Sequence, residues 1–335
     1  MSNIKLAVSF YSLQDQYARG KMKLEDIIKF VKEEIGAEME FISDQMIKGV
    51  PHPSEGVLKE WDRLMDKYKI IPTCNNIYVN TCLYKNRTLT TKEGVAELIE
   101  QIKLSKRLGF KLVKLVSTTP VEVIEAALPF AEENGVTICI EIHGGMSFDI
   151  PDVDEFIKLI HKTNSSYLGL VVDAGIFCRR HPRVSTNYFR SLGVNEDVIK
   201  YIDKIFEDGS DPKQFYRKHG GRPQELLDLC KNELDHMYTL FSDGYESSDF
   251  SILDEHMPYI KHFHAKVYEI TDEGVEYSIP YEGLIKYLNE KNFEGYMAVE
   301  YEGNRFTLFD QEVKEVEQVK RYHKMLKKYI DGVGK

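Results

Sequence analysis

Glu133-Asn134-Gly135-Val136-Thr137-Ile138-Cys139-Ile140-Glu141-Ile142-His143-Gly144-Gly145 runs from the end of a polar helix, through a glycine, into an apolar strand closed by an acid. Glycine suits the left-handed residue that ends a helix, so the phrase reads as an αβ loop feeding a buried strand. It recurs. Glu34-Ile35-Gly36 precedes MEFI, Arg107-Leu108-Gly109 precedes KLVKLV, and a looser Phe293-Glu294-Gly295 precedes YMAVEY. Working outward from these anchors, strands are expected at 5–9, 39–42, 70–75, 112–116, 137–142, 168–173, 260–266 and 295–300. Helices are expected at 25–35, 57–68, 92–108, 121–133, 152–161, 281–289 and 311–329. Eight strands in strict alternation with helices predict a closed α/β fold, the TIM (β/α)₈ barrel, over an open doubly wound sheet.

Barrels routinely use 335 residues as one domain, so 1–335 is expected to be a single TIM-barrel domain. One stretch breaks the rhythm. After the sixth strand, residues 174–259 are rich in charge, Tyr and His, with helical periodicity at 198–206 and 225–240. Long insertions in barrels sit on the βα loops of the catalytic face, so this one is expected to be a lid or a subunit contact. The plainer alternative is a solvated excursion without a role.

A net charge of −10 repels phosphate backbones, which argues against nucleic acid as a partner. Five cysteines without C-x-x-C spacing argue against a disulfide framework and against a structural zinc site. No run of residues approaches a membrane span, and no signal peptide is legible at MSNIKLAVSF, so a cytoplasmic protein is expected.

In a barrel, polar groups at the C-terminal ends of strands face the active site. Glu141, Asp173 and Glu300 each close an apolar run of three or more residues. Three such acids converging would repel one another unless a divalent cation unites them. The seventh strand, Ile260-Lys261-His262-Phe263-His264-Ala265-Lys266, offers two histidines on one face. One of them can bind the metal while the other packs below. Three carboxylates and an imidazole favour Mn²⁺ or Mg²⁺ over a structural zinc. A lone acid at a strand end is commonly exposed or a helix cap; four ligands on consecutive strands are a different matter.

The order E-x-H-G-G, V-V-D, H-F-H-A-K and A-V-E resembles the sugar isomerase/epimerase superfamily with the xylose-isomerase-like barrel, across nearly the whole chain outside the insertion. That resemblance implies metal ligands Glu141, Asp173, His264 and Glu300, with Glu141 and Glu300 also moving protons beside a carbonyl. Two family substrate contacts are missing. Ile176 stands where a His is usual and Ile270 where an Arg is usual, which argues against simple ketose epimerisation.

His143 in E-I-H-G-G, the enlarged loop from Phe177-Cys178-Arg179-Arg180-His181-Pro182-Arg183, and N-Y-F-R-S-L-G resemble the α subunits of bacterial C-glycoside deglycosidases. This resemblance implies a lyase that cleaves the carbon–carbon bond between a 3-oxo sugar and a flavonoid or other polyphenol. It also implies a small β subunit as partner and a divalent metal, manganese first, with Mg²⁺, Co²⁺ and Zn²⁺ as alternatives. Catalytic roles then fall to His143, Glu141 and Glu300. His143 would act as the base for a phenol hydroxyl or, instead, support the metal; Glu302, Lys266 and His181 are the reserve bases. A ketose isomerase or 3-epimerase is the main alternative. An endonuclease IV-type nuclease would need more histidines on the later strands, and a non-catalytic sugar-binding barrel would have lost a carboxylate.

Overall fold

In the computed structural model, residues 2–116, 118–308 and 311–332 are described, so the outermost ends of the expected 1–335 domain lie outside them. Eight parallel strands close into a barrel in sequence order: β1 (Ile4–Ser9), β2 (Glu38–Ile42), β3 (Pro72–Asn76), β4 (Leu112–Leu115), β5 (Thr137–Ile142), β6 (Leu168–Asp173), β7 (Ile260–Val267) and β8 (Gly295–Tyr301). β8 closes on β1 with Ile4 opposite Gly295 and Val8 opposite Val299. The expected TIM barrel is the observed fold.

The strands are apolar because both of their faces are covered. All six residues of β6 are buried. On β2, Phe41 sits fully buried among Phe10, Trp61 and Phe110, with ring centroids 5.7, 5.1 and 6.1 Å away. Trp61 also ties its helix to the next αβ turn by donating from Nε1 to the Leu108 carbonyl at 3.1 Å. Truncation of a buried aromatic removes contact area and leaves a hole, so Phe41→Ala is expected to cost about 3 to 5 kcal/mol of unfolding free energy. Urea unfolding followed by circular dichroism checks this; a loss below about 1 kcal/mol would mean that the site collapses freely.

Local rules explain most helix limits. Thr90 and Glu93 form a reciprocal cap at the start of Thr91–Arg107: Glu93 N–H donates to Thr90 Oγ1 at 3.3 Å, and Thr90 N–H donates to Glu93 Oε2 at 2.9 Å. Gly36, Gly109 and Gly135 adopt φ of 76°, 92° and 66°, as the repeated phrase requires. The fourth phrase works differently. There the left-handed residue is Asn292 (φ 56°), while Gly295 opens β8 because a Cβ would crowd Phe293 and the Lys261 carbonyl.

Several expected boundaries move. The first barrel helix, expected at 25–35, is an α-helix over Leu24–Lys29 that widens to a π-helix over Phe30–Ile35. β3 starts at Pro72 rather than residue 70, and the last helix spans Glu315–Gly332 rather than 311–329.

The 174–259 segment is mostly helical. Helices Arg183–Leu192, Glu196–Glu207, Pro212–Lys218, Gln224–Leu229 and Glu233–Phe241 enclose a small core of their own around Ile202, Leu226 and Tyr238. The periodicity at 225–240 predicts one helix, but two are found. Asn232 is extended and caps a new start by accepting from Asp235 N–H at 3.0 Å. The buried Asp235 carboxylate in turn accepts from Lys231 N–H at 2.8 Å. Capping chemistry overrides the apolar period there. Among the described residues, no helix is long and apolar enough to cross a membrane, and all five cysteines are free.

Candidate active site

Strand stagger sets the floor of the site. Asp173 on β6 pairs with His264 on β7, and Lys266 on β7 pairs with Glu300 on β8, so the ends of three strands rise together. Glu141 joins them from the end of β5. One ligand atom from each of Glu141, Asp173, His264 and Glu300 lies within 4.8 Å of all the others, and all four side chains are buried. The sequence-predicted quartet is therefore brought together in one place.

The cluster is dense with charge. His264 Nδ1 lies 2.8 Å from Glu141 Oε1 and 3.4 Å from Glu300 Oε2. Neither ring nitrogen makes a hydrogen bond of good angle despite this proximity. Burial alone would lower the His264 pKa, but Glu300, Glu40 and Glu141 lift it well above the usual histidine range. Burial raises Asp173; Lys266 opposes that rise, while Glu300 and Glu141 add to it. For Glu300 burial again raises, but His264 and Lys266 outweigh it and hold the carboxyl at about 2. Positive charge is thus demanded at the centre of the quartet. A divalent cation there would meet the same demand, and three carboxylates with one under-bonded imidazole are a donor set that fits it. Glu141, Asp173 and Glu300 would offer oxygens and His264 would offer Nδ1.

Sequence reasoning missed Lys114 and Glu40 in this centre and took Lys266 only as a reserve base. Lys114, from the end of β4, donates to Glu141 Oε2 at 2.6 Å. Lys266 reaches Glu300 Oε2 at 2.6 Å, Asp173 Oδ2 at 2.8 Å and Glu302 Oε1 at 3.1 Å. Below the quartet, Glu40 of β2 is wholly buried. Its Oε2 sits 2.7 Å from His262 Nε2 and 3.0 Å from His264 Nε2, and its Oε1 accepts from Asn76 Nδ2 at 2.8 Å. His262 therefore packs beneath while His264 faces the quartet. A carboxylate behind a ligating imidazole fixes its ring orientation and tautomer. The available signal was a charged residue inside an apolar run, in KLVKLV and in MEFI.

Above the floor opens a cavity of about 790 Å³. Glu141, Asp173, Lys114, Lys266 and Glu300 line its base, and His143 and Glu302 line its side. Its upper wall is apolar and aromatic. The 174–259 segment supplies Tyr188, Phe189, Leu192, Met237, Phe241 and Tyr245, and Phe306 follows β8. Phe241 remains 55% exposed and Leu192 45%, so apolar surface faces the mouth.

His143 Nδ1 lies 2.9 Å from the Gly144 carbonyl oxygen. That oxygen can only accept, so Nδ1 carries a proton, and in the neutral ring the lone pair is then on Nε2. Of the reserve bases, Glu302 and Lys266 are on the cavity wall. His181 lies inside the insertion, bonded to Thr186 Oγ1 at 2.8 Å and held at about 3 by burial, and it does not line the cavity. Ile176 and Ile270 are buried and also absent from the lining.

Residues 34–203 match the family described as the xylose isomerase-like TIM barrel, and the chain belongs to that family. Among curated proteins it is similar to the 3'-dehydrocarminate deglycosidase alpha subunit of Microbacterium sp, 25% identical over 310 residues that cover 89% of this chain and 88% of that protein. It is likewise 25% identical over 341 residues to a C-glycoside deglycosidase alpha subunit of Arthrobacter globiformis, covering 98% of this chain and 93% of the relative. These relatives mark the chain as an enzyme. Among solved structures, a D-psicose 3-epimerase crystallised with D-fructose aligns with a TM-score of 0.57 at 10% identity, over 98% of this chain and 100% of the other. An L-ribulose 3-epimerase aligns at 0.53 and 10% identity, over 98% and 95%. At such identities the likeness is one of fold.

Proposed function

We propose that this chain is the metal-dependent catalytic subunit of a carbon–carbon lyase that releases a polyphenol from a 3-oxo-C-glycoside. The observation that carries the reading is the buried Glu141, Asp173, His264 and Glu300 quartet lying beneath an aromatic cavity with His143 on its side. The relatives named C-glycoside deglycosidase alpha subunits support it, and so does the absence of Ile176 and Ile270 from the cavity wall. Manganese is the metal we assign first.

In a 3-oxo sugar the C2 proton is acidic, and the aryl group on C1 lies β to the carbonyl. Glu141 or Glu300 takes the C2 proton, and the electron pair passes into the C2–C3–oxygen system. Held by Glu141, Asp173, His264 and Glu300, a divalent cation would supply positive charge that favours that enolate. Lys266 adds a fixed positive charge 2.6 Å from Glu300. Its strand end is held firm, because the Lys266 carbonyl accepts from Tyr281 and Tyr322 hydroxyls at 2.7 and 3.1 Å. His143 Nε2 takes the proton of a phenol hydroxyl ortho or para to the glycosidic carbon, and the ring pushes electron density onto that carbon, which gains the proton that the glutamate took from C2; the released phenolate later recovers its own proton from His143. The C1–aryl bond then breaks by β-elimination. Its electron pair returns to the ring, and the enolate pair becomes the C1–C2 double bond.

Incubation with a 3-oxo-C-glucoside, with and without small candidate partner chains, tests this directly. Release of free polyphenol is expected only with a suitable β subunit, as the alpha-subunit names of the relatives suggest. The second reading, a ketose isomerase or 3-epimerase, rests on the shared fold and quartet; turnover of a free ketose without any release of polyphenol would establish it instead.

We read residues 174–259 as part of a single barrel domain, serving as a lid over the aglycone or as a subunit contact. Hydrogen exchange is expected to slow across Arg183–Leu192 and Glu233–Phe241 when substrate or partner binds. Unchanged exchange throughout the segment would remove both roles.

A further inference from the structure

The turn bearing His143 does not stand alone. Gly145 N–H donates to Glu246 Oε1 at 3.0 Å, and Glu246 lies in the 174–259 segment, buried at 4% exposure. Lys213 donates to the same Oε1 at 2.7 Å and to the Gly145 carbonyl at 3.3 Å, and it also reaches Asp149 Oδ1 at 3.0 Å. Gly145 is therefore gripped at both its N–H and its carbonyl. Gly144 packs so closely on the Gly244 carbonyl that no side chain fits, and Gly145 needs φ of +81°. The two glycines are thus required by the contact between turn and insertion.

One covalent fact links Glu246 to His143. The Gly144 carbonyl and the Gly145 N–H belong to the same peptide unit, which is planar and trans. Its oxygen accepts a hydrogen bond from His143 Nδ1–H at 2.9 Å, and its N–H donates one to Glu246 Oε1 on the opposite side. A peptide polarised by a carboxylate at its N–H is a better acceptor at its oxygen.

We propose that Glu246 is a positioning residue for His143, acting through the Gly144–Gly145 peptide to hold the imidazole as the Nδ1–H tautomer with Nε2 free toward the cavity. The proposal rests on the reading of His143 as a base. It makes the insertion a participant in the chemistry as well as a wall of the cavity. Lys213, 2.7 Å from Oε1, holds the Glu246 carboxylate in place.

Nitrogen-15 NMR of full-length, histidine-labelled protein loaded with Mg²⁺ tests the idea without any substrate, so it is decided separately from the lyase reading. The His143 signals are assigned by their loss in His143→Ala. Wild type is expected to show Nδ1–H, and Glu246→Ala a shift toward Nε2–H. Glu246→Gln, which keeps an acceptor oxygen for Gly145 N–H, is expected to retain Nδ1–H. In turnover, Glu246→Ala is expected to lose roughly tenfold or more in kcat with little change in KM, and the Gln variant to recover part of it. An unchanged tautomer in Glu246→Ala overturns the proposal, as does Nε2–H in wild type. If the Ala variant does not fold, Glu246→Met, which fills the space without an acceptor for Gly145 N–H, replaces it: loss of Nδ1–H supports the proposal and retention overturns it.

Discussion

Replacement of His143 by Ala is expected to cut release of polyphenol at least about a hundredfold while the metal stays bound. General-base assistance is typically worth 10²–10⁴-fold, about 3 to 5 kcal/mol of barrier. The geometry bears on the two roles that the sequence left open. Nδ1 is committed to the Gly144 carbonyl, whereas the quartet is closed by Glu141, Asp173, His264 and Glu300. Elemental analysis beside steady-state kinetics checks the outcome. Loss of metal together with activity would place His143 among the metal's ligands. Retention of most activity would move the base to Glu302 or Lys266, which line the same cavity.

Removal of a quartet carboxylate is expected to have the other large effect. Even a group that only supports a ligand typically contributes 10- to 100-fold in metal affinity, so Glu141→Gln and Asp173→Asn should each weaken binding by roughly 100-fold or more. Glu141→Gln is the cleaner variant, since Asp173 Oδ1 also accepts from Gly175 N–H at 2.7 Å and shapes the turn after β6. Titration of metal-free protein with Mn²⁺ measures the change. Wild-type affinity in both variants would sink the ligand assignment.

The barrel and the quartet were legible for related reasons. A strand covered on both faces must be apolar, so an acid ending it is conspicuous, and Glu141, Asp173 and Glu300 all announce themselves in this way. The countercharges were not legible. Lys114 meets Glu141, and Glu40 meets His264, across neighbouring or distant strands. Which residues share a level depends on barrel stagger, including the register shifts at Met39/Glu40 and at Leu170/Val171. Local spacing carries no record of that. Gly295 misled for a similar reason: its freedom serves a close approach to Phe293 and the Lys261 carbonyl rather than a left-handed turn. In the insertion, the apolar period runs straight through Asn232, and only the extended backbone of that residue reveals the break.

The inserted segment is pinched at a neck that lies inside its 174–259 bounds. Phe177 forms an antiparallel bridge with Ser247, and Ser248 N–H donates to the Ile176 carbonyl at 2.9 Å. Chain that leaves and returns through so narrow a neck is a cassette, and replacing one cassette with another changes little in the cost of loop closure. A barrel of this kind can exchange the piece that walls the upper, aromatic part of its cavity and leave the floor intact. The exchange has one condition here. Glu246 lies just inside the neck, so a transplanted cassette must bring its own acceptor for the Gly145 N–H, or the barrel that receives it inherits a His143 with nothing to hold its ring in place.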